Sequence, residues 1–129
     1  MATTIATITL SSSTLLTDSL NLSVAMTVTG SDTTGIARTK AGGAKANASN
    51  ALLYTAADFA TEGYMYIKNV DADLAITVWA DTTTDNPDVI KLKAGEWAFI
   101  PIAVGTTYKA YPTLGSGTPY IEWLVYGTE

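Results

Sequence analysis

The chain has 129 residues, a formal net charge of −5, and neither cysteine nor histidine. Its length suits one domain with its own core, and the lack of cysteine excludes a disulfide framework and a thiolate metal site. The lack of histidine removes the usual general base and metal ligand. The chain is acidic, has no basic run, and has no apolar run long enough to span a bilayer. We therefore expect no nucleic acid and no membrane among its partners.

The first 30 residues contain two strand-like patterns. Residues 1–10 alternate weakly, with Ala6, Ile8 and Leu10 on one side. Residues 18–29 alternate strictly, and a period of two predicts a strand rather than a helix. The apolar positions of that strand are Leu20, Leu22, Val24, Met26 and Val28. We interpret residues 1–17 as a possible N-terminal arm of a single domain spanning residues 1–129.

Residues 33–62 have the weakest pattern in the chain. Ile36 and Arg38 suggest a short strand. The small polar residues 44–50 predict a flexible loop. Ala51–Tyr54 fits either a strand or a helical turn.

The stretch from residue 64 to residue 102 has four β-rich runs separated by turn residues. These runs cover residues 64–70, 74–80, 89–93 and 96–102. We expect them to lie in one sheet, with residues 76–78 as the hairpin partner of residues 64–69.

Two more strands are predicted at residues 106–112 and 120–126, which makes eight or nine short strands in all. The 22 threonines and 8 serines also favour strands with a hydrated outer face. Together these features predict an all-β chain forming a single β-sandwich or jelly roll. Such a fold must cover its sheet edges, and association with copies of itself is one way to do so.

Carboxylates are the main candidates for chemistry. Several loop aspartates suit calcium, but aspartate is also common in turns for its own backbone bonding, which we favour. Three glutamates suit a glycoside hydrolase, yet nothing in their spacing singles out a pair. A serine nucleophile would have no histidine as its base. We therefore expect no enzyme, metal or cofactor. The carboxylates considered are Asp71, Asp73, Asp81, Asp85, Asp88, Glu62, Glu96 and Glu122.

Aromatic residues crowd the second half of the chain. They suit either a sugar-stacking platform or packing in a core and in subunit interfaces, and their alternation within strands favours packing. The residues are Tyr64, Tyr66, Trp79, Trp97, Tyr108, Tyr111, Tyr120, Trp123 and Tyr126.

Roughly the second half of the chain also resembles small structural proteins of tailed bacteriophages, most closely capsid decoration (cement) proteins. The matching segments are residues 64–69, 76–78, 91–101 and 121–127. Within them, Asn69 can bond the turn that follows a strand, Gly95 suits a tight turn, and Pro101 suits a strand end or a sheet edge.

The resemblance implies a non-enzymatic virion protein, made in the host cytoplasm and placed on the outer surface of the capsid. There it would clamp neighbouring major capsid subunits and associate with itself, with a homotrimer favoured over a dimer. The alternative is a tail or fibre component that binds a receptor or glycan.

The N-terminal segment is the predicted docking element. Residues 1–10 are strand-like but poorly amphipathic, and so suit pairing with the sheet edge of another chain. The interface candidates are Thr3, Thr4, Ile5, Ile8, Leu10, Trp97, Tyr108 and Tyr111.

Overall fold

The computed structural model describes residues 2–14, 20–30, 32–33, 37–57, 59, 61–82 and 84–128. These residues form eleven β-strands and no helix. In chain order the strands are β1 Ala2–Ser12, β2 Leu20–Gly30, β3 Asp32–Thr33, β4 Ala37–Lys40, β5 Ala51–Tyr54, β6 Glu62–Asn69, β7 Ile76–Asp81, β8 Asp88–Leu92, β9 Trp97–Ile102, β10 Thr107–Pro112 and β11 Tyr120–Thr128.

The strands form three antiparallel sheets. β1 and β2 make a sheet of their own, β5-β10-β7-β8 make a second, and β3-β11-β6-β9 make a third, in which β4 also pairs with β11. The all-β sandwich predicted from the sequence is confirmed. The strand number exceeds the predicted eight or nine partly because β3 has two residues, too few for a recognisable alternation.

The two larger sheets share one hydrophobic core. Met65 and Ile67 of β6 lie in it with Ile121 of β11, while Ile76 and Val78 come from β7, and all five side chains are fully buried. Each such side chain contributes about 1.5–3 kcal/mol of transfer free energy relative to full exposure. The period-two alternation in these strands is therefore the pattern that sets the core.

The predicted pairing of residues 64–69 with residues 76–78 is wrong. β6 pairs with β9 and β11, whereas β7 pairs with β8 and β10. The turn between β6 and β7 carries the chain from one sheet to the other, so the four central strands are divided between two sheets. Alternation identifies a strand and its buried face, but it does not identify the neighbouring strand.

The side chain of Asn69 is fully buried and stabilises the turn that connects β6 to β7. Its side-chain Nδ2 donates to the carbonyl of Leu74 at 2.7 Å and to that of Leu92 at 3.3 Å. Its Oδ1 accepts the backbone N–H of Asp71 at 3.1 Å. The predicted bond from Asn69 to the following turn is thus confirmed, and the same side chain reaches the end of β8.

Gly95 and Pro101 occupy the positions that the sequence predicts for them. Gly95 has a φ of 77°, in the left-handed region that glycine tolerates. Its N–H donates to the Asn69 carbonyl at 3.0 Å. Pro101 lies in β9, an edge strand of its sheet.

Several hydrogen bonds hold the loop of residues 41–50 in place, although the sequence predicts a flexible loop at residues 44–50. The Asn50 side chain donates to the carbonyls of Gly42 and Ala44, both at 2.9 Å. Its Oδ1 accepts the backbone N–H of Ala46 at 3.1 Å and the indole N–H of Trp79 at 3.0 Å. Asn50 therefore fastens the loop to β7, and the next residues form the strand β5 rather than a helical turn.

Candidate interaction surface

The hairpin formed by β1 and β2 has one polar and one apolar face. Its register runs without a break from the pair Ala2–Gly30 to the pair Ser12–Leu20. Opposite residues of an antiparallel pair share a face, so the mainly polar face carries Thr7–Ala25, Thr9–Ser23 and Ser11–Asn21, and also Ile5–Thr27, whose isoleucine is 67% exposed. The other face carries the apolar pairs Ala6–Met26, Ile8–Val24 and Leu10–Leu22.

The side chains on the apolar face of this hairpin are about half exposed. Exposed fractions are 46% for Ile8, 49% for Leu10, 43% for Leu22, 53% for Val24 and 41% for Met26. A strand with this alternation normally turns its apolar side to a core. Here the hairpin instead presents a contiguous apolar surface.

A groove of about 470 Å³ lies between this hairpin and the outer face of the sheet that contains β6, β9 and β11. On the sheet side, Tyr66 is paired with Phe99 and Leu124, so these three side chains share the outer face. Trp97 of β9 also lines the groove and is 53% exposed. On the hairpin side the lining residues are Ile5, Ala6, Thr7, Ile8, Val24 and Met26.

The groove is lined without any charged side chain. The surrounding sequence has the same character, because Asp18 is the only charged residue among residues 1–30, although the chain as a whole has 12 acidic and 7 basic residues. Depletion of charge is typical of the centre of a protein interface.

Tyr66 connects the groove to an acidic neighbour. Its hydroxyl donates to Oε1 of Glu122 at 3.4 Å. Burial raises the pKa of Tyr66, and the Glu122 carboxylate raises that pKa further, because both disfavour the tyrosinate.

We expect stability to fall as the pH rises above about 10, the ordinary tyrosine pKa. In that range the unfolded chain loses the Tyr66 proton while the folded chain keeps it, so the unfolded state is favoured. Tyr66→Phe should make the decline shallower and leave the stability at pH 7 nearly unchanged. Urea unfolding of both proteins from pH 7 to pH 11 measures this, and equal slopes above pH 10 would contradict the prediction.

The predicted interface residues fall into three groups. Ile5, Ile8 and Trp97 line the groove, and Leu10 is exposed on the same hairpin face as Ile8. Thr3 is exposed on the polar face, while the Thr4 side chain lies outside the described residues.

Tyr108 and Tyr111 form the third group and are buried, with exposed fractions of 6% and 9%. The Tyr108 hydroxyl accepts the backbone N–H of Ala103 at 3.0 Å. These two tyrosines present little surface to a partner.

The sequence did not identify the residues of β2 and of the outer sheet face as part of the groove. The alternation of residues 18–29 predicts an apolar face, and such a face is normally read as core. The available signal was the apolar character of Tyr66, Phe99 and Leu124 at positions that alternate with the core residues of their strands.

Several of the candidate carboxylates take part in turns and ion pairs. Asp71 accepts the backbone N–H groups of Asp73 and Leu74, both at 2.9 Å, and these bonds lower its pKa. Asp81 pairs with Lys109 at 2.6 Å, and Asp88 pairs with Lys45 at 2.7 Å. Within the described ranges no three acidic residues are grouped so that they could hold a metal ion.

The described part of the chain contains no helix with the length and hydropathy needed to cross a membrane. No known protein family, curated protein or solved structure matches the chain.

Proposed function

We propose that this chain is a capsid decoration protein of a tailed bacteriophage, which binds the outer surface of the shell and clamps neighbouring major capsid subunits. The virion assignment rests on the sequence resemblance of residues 64–127. The observation that carries a binding role is the hairpin β1–β2, which stands as its own sheet and exposes an apolar face. A clamp of this kind needs contact surface rather than catalytic groups.

Docking to the shell uses the outer edge of β1. Among the described strands β1 pairs only with β2, so its other edge has no neighbouring strand. An edge of this kind can extend a sheet of another protein through main-chain hydrogen bonds. Because an oligomer presents several hairpins at once, contacts that are each about millimolar, or −4 kcal/mol, combine into tight binding when the geometry lets them engage together.

The location of the protein is the first test. Antibodies raised against this chain should label the heads of particles from its source when these are imaged by electron microscopy. Label confined to the tail would contradict decoration and support the receptor- or glycan-binding alternative. An absence of label from every particle would contradict both virion roles.

Removal of residues 1–30 tests the docking element. Removing β1 alone would leave β2 without its partner, so the whole hairpin is the better unit to delete. The shortened chain keeps the β5–β10–β7–β8 sheet and all strands of the other large sheet, β3, β4, β6, β9 and β11. We expect it to fold but to lose binding to capsids. Co-sedimentation with capsids lacking the protein measures binding, circular dichroism checks the fold, and undiminished binding would contradict docking through the hairpin.

A further inference from the structure

We infer that the groove and the apolar hairpin face bind a second copy of this chain, whose own hairpin inserts its apolar side chains against Trp97 and Phe99. This inference rests on the proposed function, in which an oligomer presents several hairpins to the capsid, and deepens it by naming the surface through which the copies associate. In this arrangement the outer edge of β1 binds the capsid, and the apolar face of the hairpin binds the neighbouring copy.

The size of the apolar surface fits a protein partner. Three hairpin side chains near half exposure, Ile8, Val24 and Met26, line the groove together with Trp97, which is itself half exposed. The largest apolar patch on a typical monomer is about 300–600 Å² and is often functional. A standard interface takes about 800 Å² from each partner, and the half-exposed apolar side chains of the hairpin and Trp97 would form the apolar centre of such an interface.

The shape of the surface favours a copy of the same chain over a small ligand. Leu10 and Leu22 continue the apolar face beyond the residues that line the groove, so a small molecule in the groove would leave both exposed. A second hairpin brings a matching row of apolar pairs and covers the whole face. It also adds a further layer to a two-stranded sheet, which is marginally stable by itself.

The charge distribution permits two acidic copies to approach on this side. Each copy has a net charge of −5, which opposes association in general. The segment 1–30 carries a single charge, Asp18, and no charged side chain lines the groove. Repulsion is therefore weakest where the apolar surface lies.

Two neighbouring substitutions provide the test. Val24 and Ser23 are adjacent in β2, and their side chains lie on opposite faces of the hairpin. Val24→Asp places a carboxylate on the apolar face, where an interface would bury it without a partner. Ser23→Asp adds the same charge to the same strand on the polar face. Trp97→Ala removes a side chain from the other wall of the groove.

Sedimentation of the purified proteins, without particles, measures the result. We expect the wild-type chain to be an oligomer at micromolar concentration. Val24→Asp and Trp97→Ala should weaken association by at least about 100-fold, and Ser23→Asp by less than about 3-fold. Circular dichroism should show the same fold in all four proteins, since Val24 and Trp97 are half exposed.

A monomeric wild-type chain would overturn the inference, as would a Val24→Asp protein that associates like wild type. A monomer that binds a fluorescent apolar probe in the groove would overturn it in favour of a small-molecule site. Monomers found on labelled heads would overturn the inference and leave decoration standing. An oligomer that labels no particle would support the inference and overturn decoration.

Discussion

Replacement of Asn69 by alanine should destabilise the folded chain by about 3 kcal/mol. The Asn69 side chain is fully buried and joins three backbone groups, the carbonyls of Leu74 and Leu92 and the N–H of Asp71. Each hydrogen bond contributes about 1 kcal/mol net, and the loss is larger where a buried group is left without a partner. The turn from one sheet to the other would lose its main side-chain support.

Urea unfolding measures this effect, and two further variants identify its cause. Asn21→Ala replaces an exposed asparagine of β2 and should change stability by less than about 0.5 kcal/mol. Asn69→Asp keeps an acceptor for Asp71 but removes the donor to both carbonyls and buries a charge, so it should be no milder than alanine. A loss below about 1 kcal/mol for Asn69→Ala would show that the crossing does not depend on this side chain.

The sequence predicts the strands of the second half well. The predicted runs at residues 64–70, 106–112 and 120–126 agree with β6, β10 and β11 to within two residues at each end. This success has a simple cause, because the period of two records which side of a strand is buried. Turn residues such as Gly95 mark where each strand must end.

Strand pairing was not predictable from the same pattern. β6 and β7 follow each other across a short turn, as the strands of a hairpin do, yet they lie in different sheets. Asn69 supports this crossing, and its bond to Leu92 joins it to a residue 23 positions away. Contacts of that range depend on the whole fold and leave no periodic mark in the sequence.

The candidate surface was predictable only in part. Ile8 and Leu10 were identified because a strand-like but poorly amphipathic segment suits pairing with another chain, and Trp97 because tryptophan is common in subunit interfaces. Tyr108 has the same composition signal as an interface tyrosine, but its strand β10 lies between β5 and β7, where its side chain is buried. Alternation reports two faces of a strand without saying which face meets the core and which meets a partner.

Trp79 and Trp97 show this difference, because Trp79 is buried in the fold and Trp97 is half exposed. Replacement of Trp79 is the second substitution from which we expect a large loss of stability. Trp79 is 1% exposed and donates its indole N–H to Asn50 Oδ1 at 3.0 Å. The Nζ atoms of Lys45 and Lys109 lie 6.0 and 5.4 Å from its ring centroid. Both lysines are also ion-paired, but those pairs are partly exposed and contribute little. The stabilisation here comes mainly from the buried ring and its hydrogen bond.

Trp79→Ala should therefore cost about 4 kcal/mol, the usual loss for a buried tryptophan. Trp79→Phe should cost about 1–2 kcal/mol, because it keeps most of the ring contact but leaves Asn50 Oδ1 without the indole donor. Trp97→Ala is the matched control, and in a Val24→Asp background, which by our inference weakens self-association, it should cost less than about 1 kcal/mol. Urea unfolding of these proteins provides the comparison. Equal losses for the two alanine variants would contradict the assignment of Trp79 to the fold and Trp97 to a binding surface, since the fully buried ring of Trp79 contributes much more to the stability of the single chain than the half-exposed ring of Trp97.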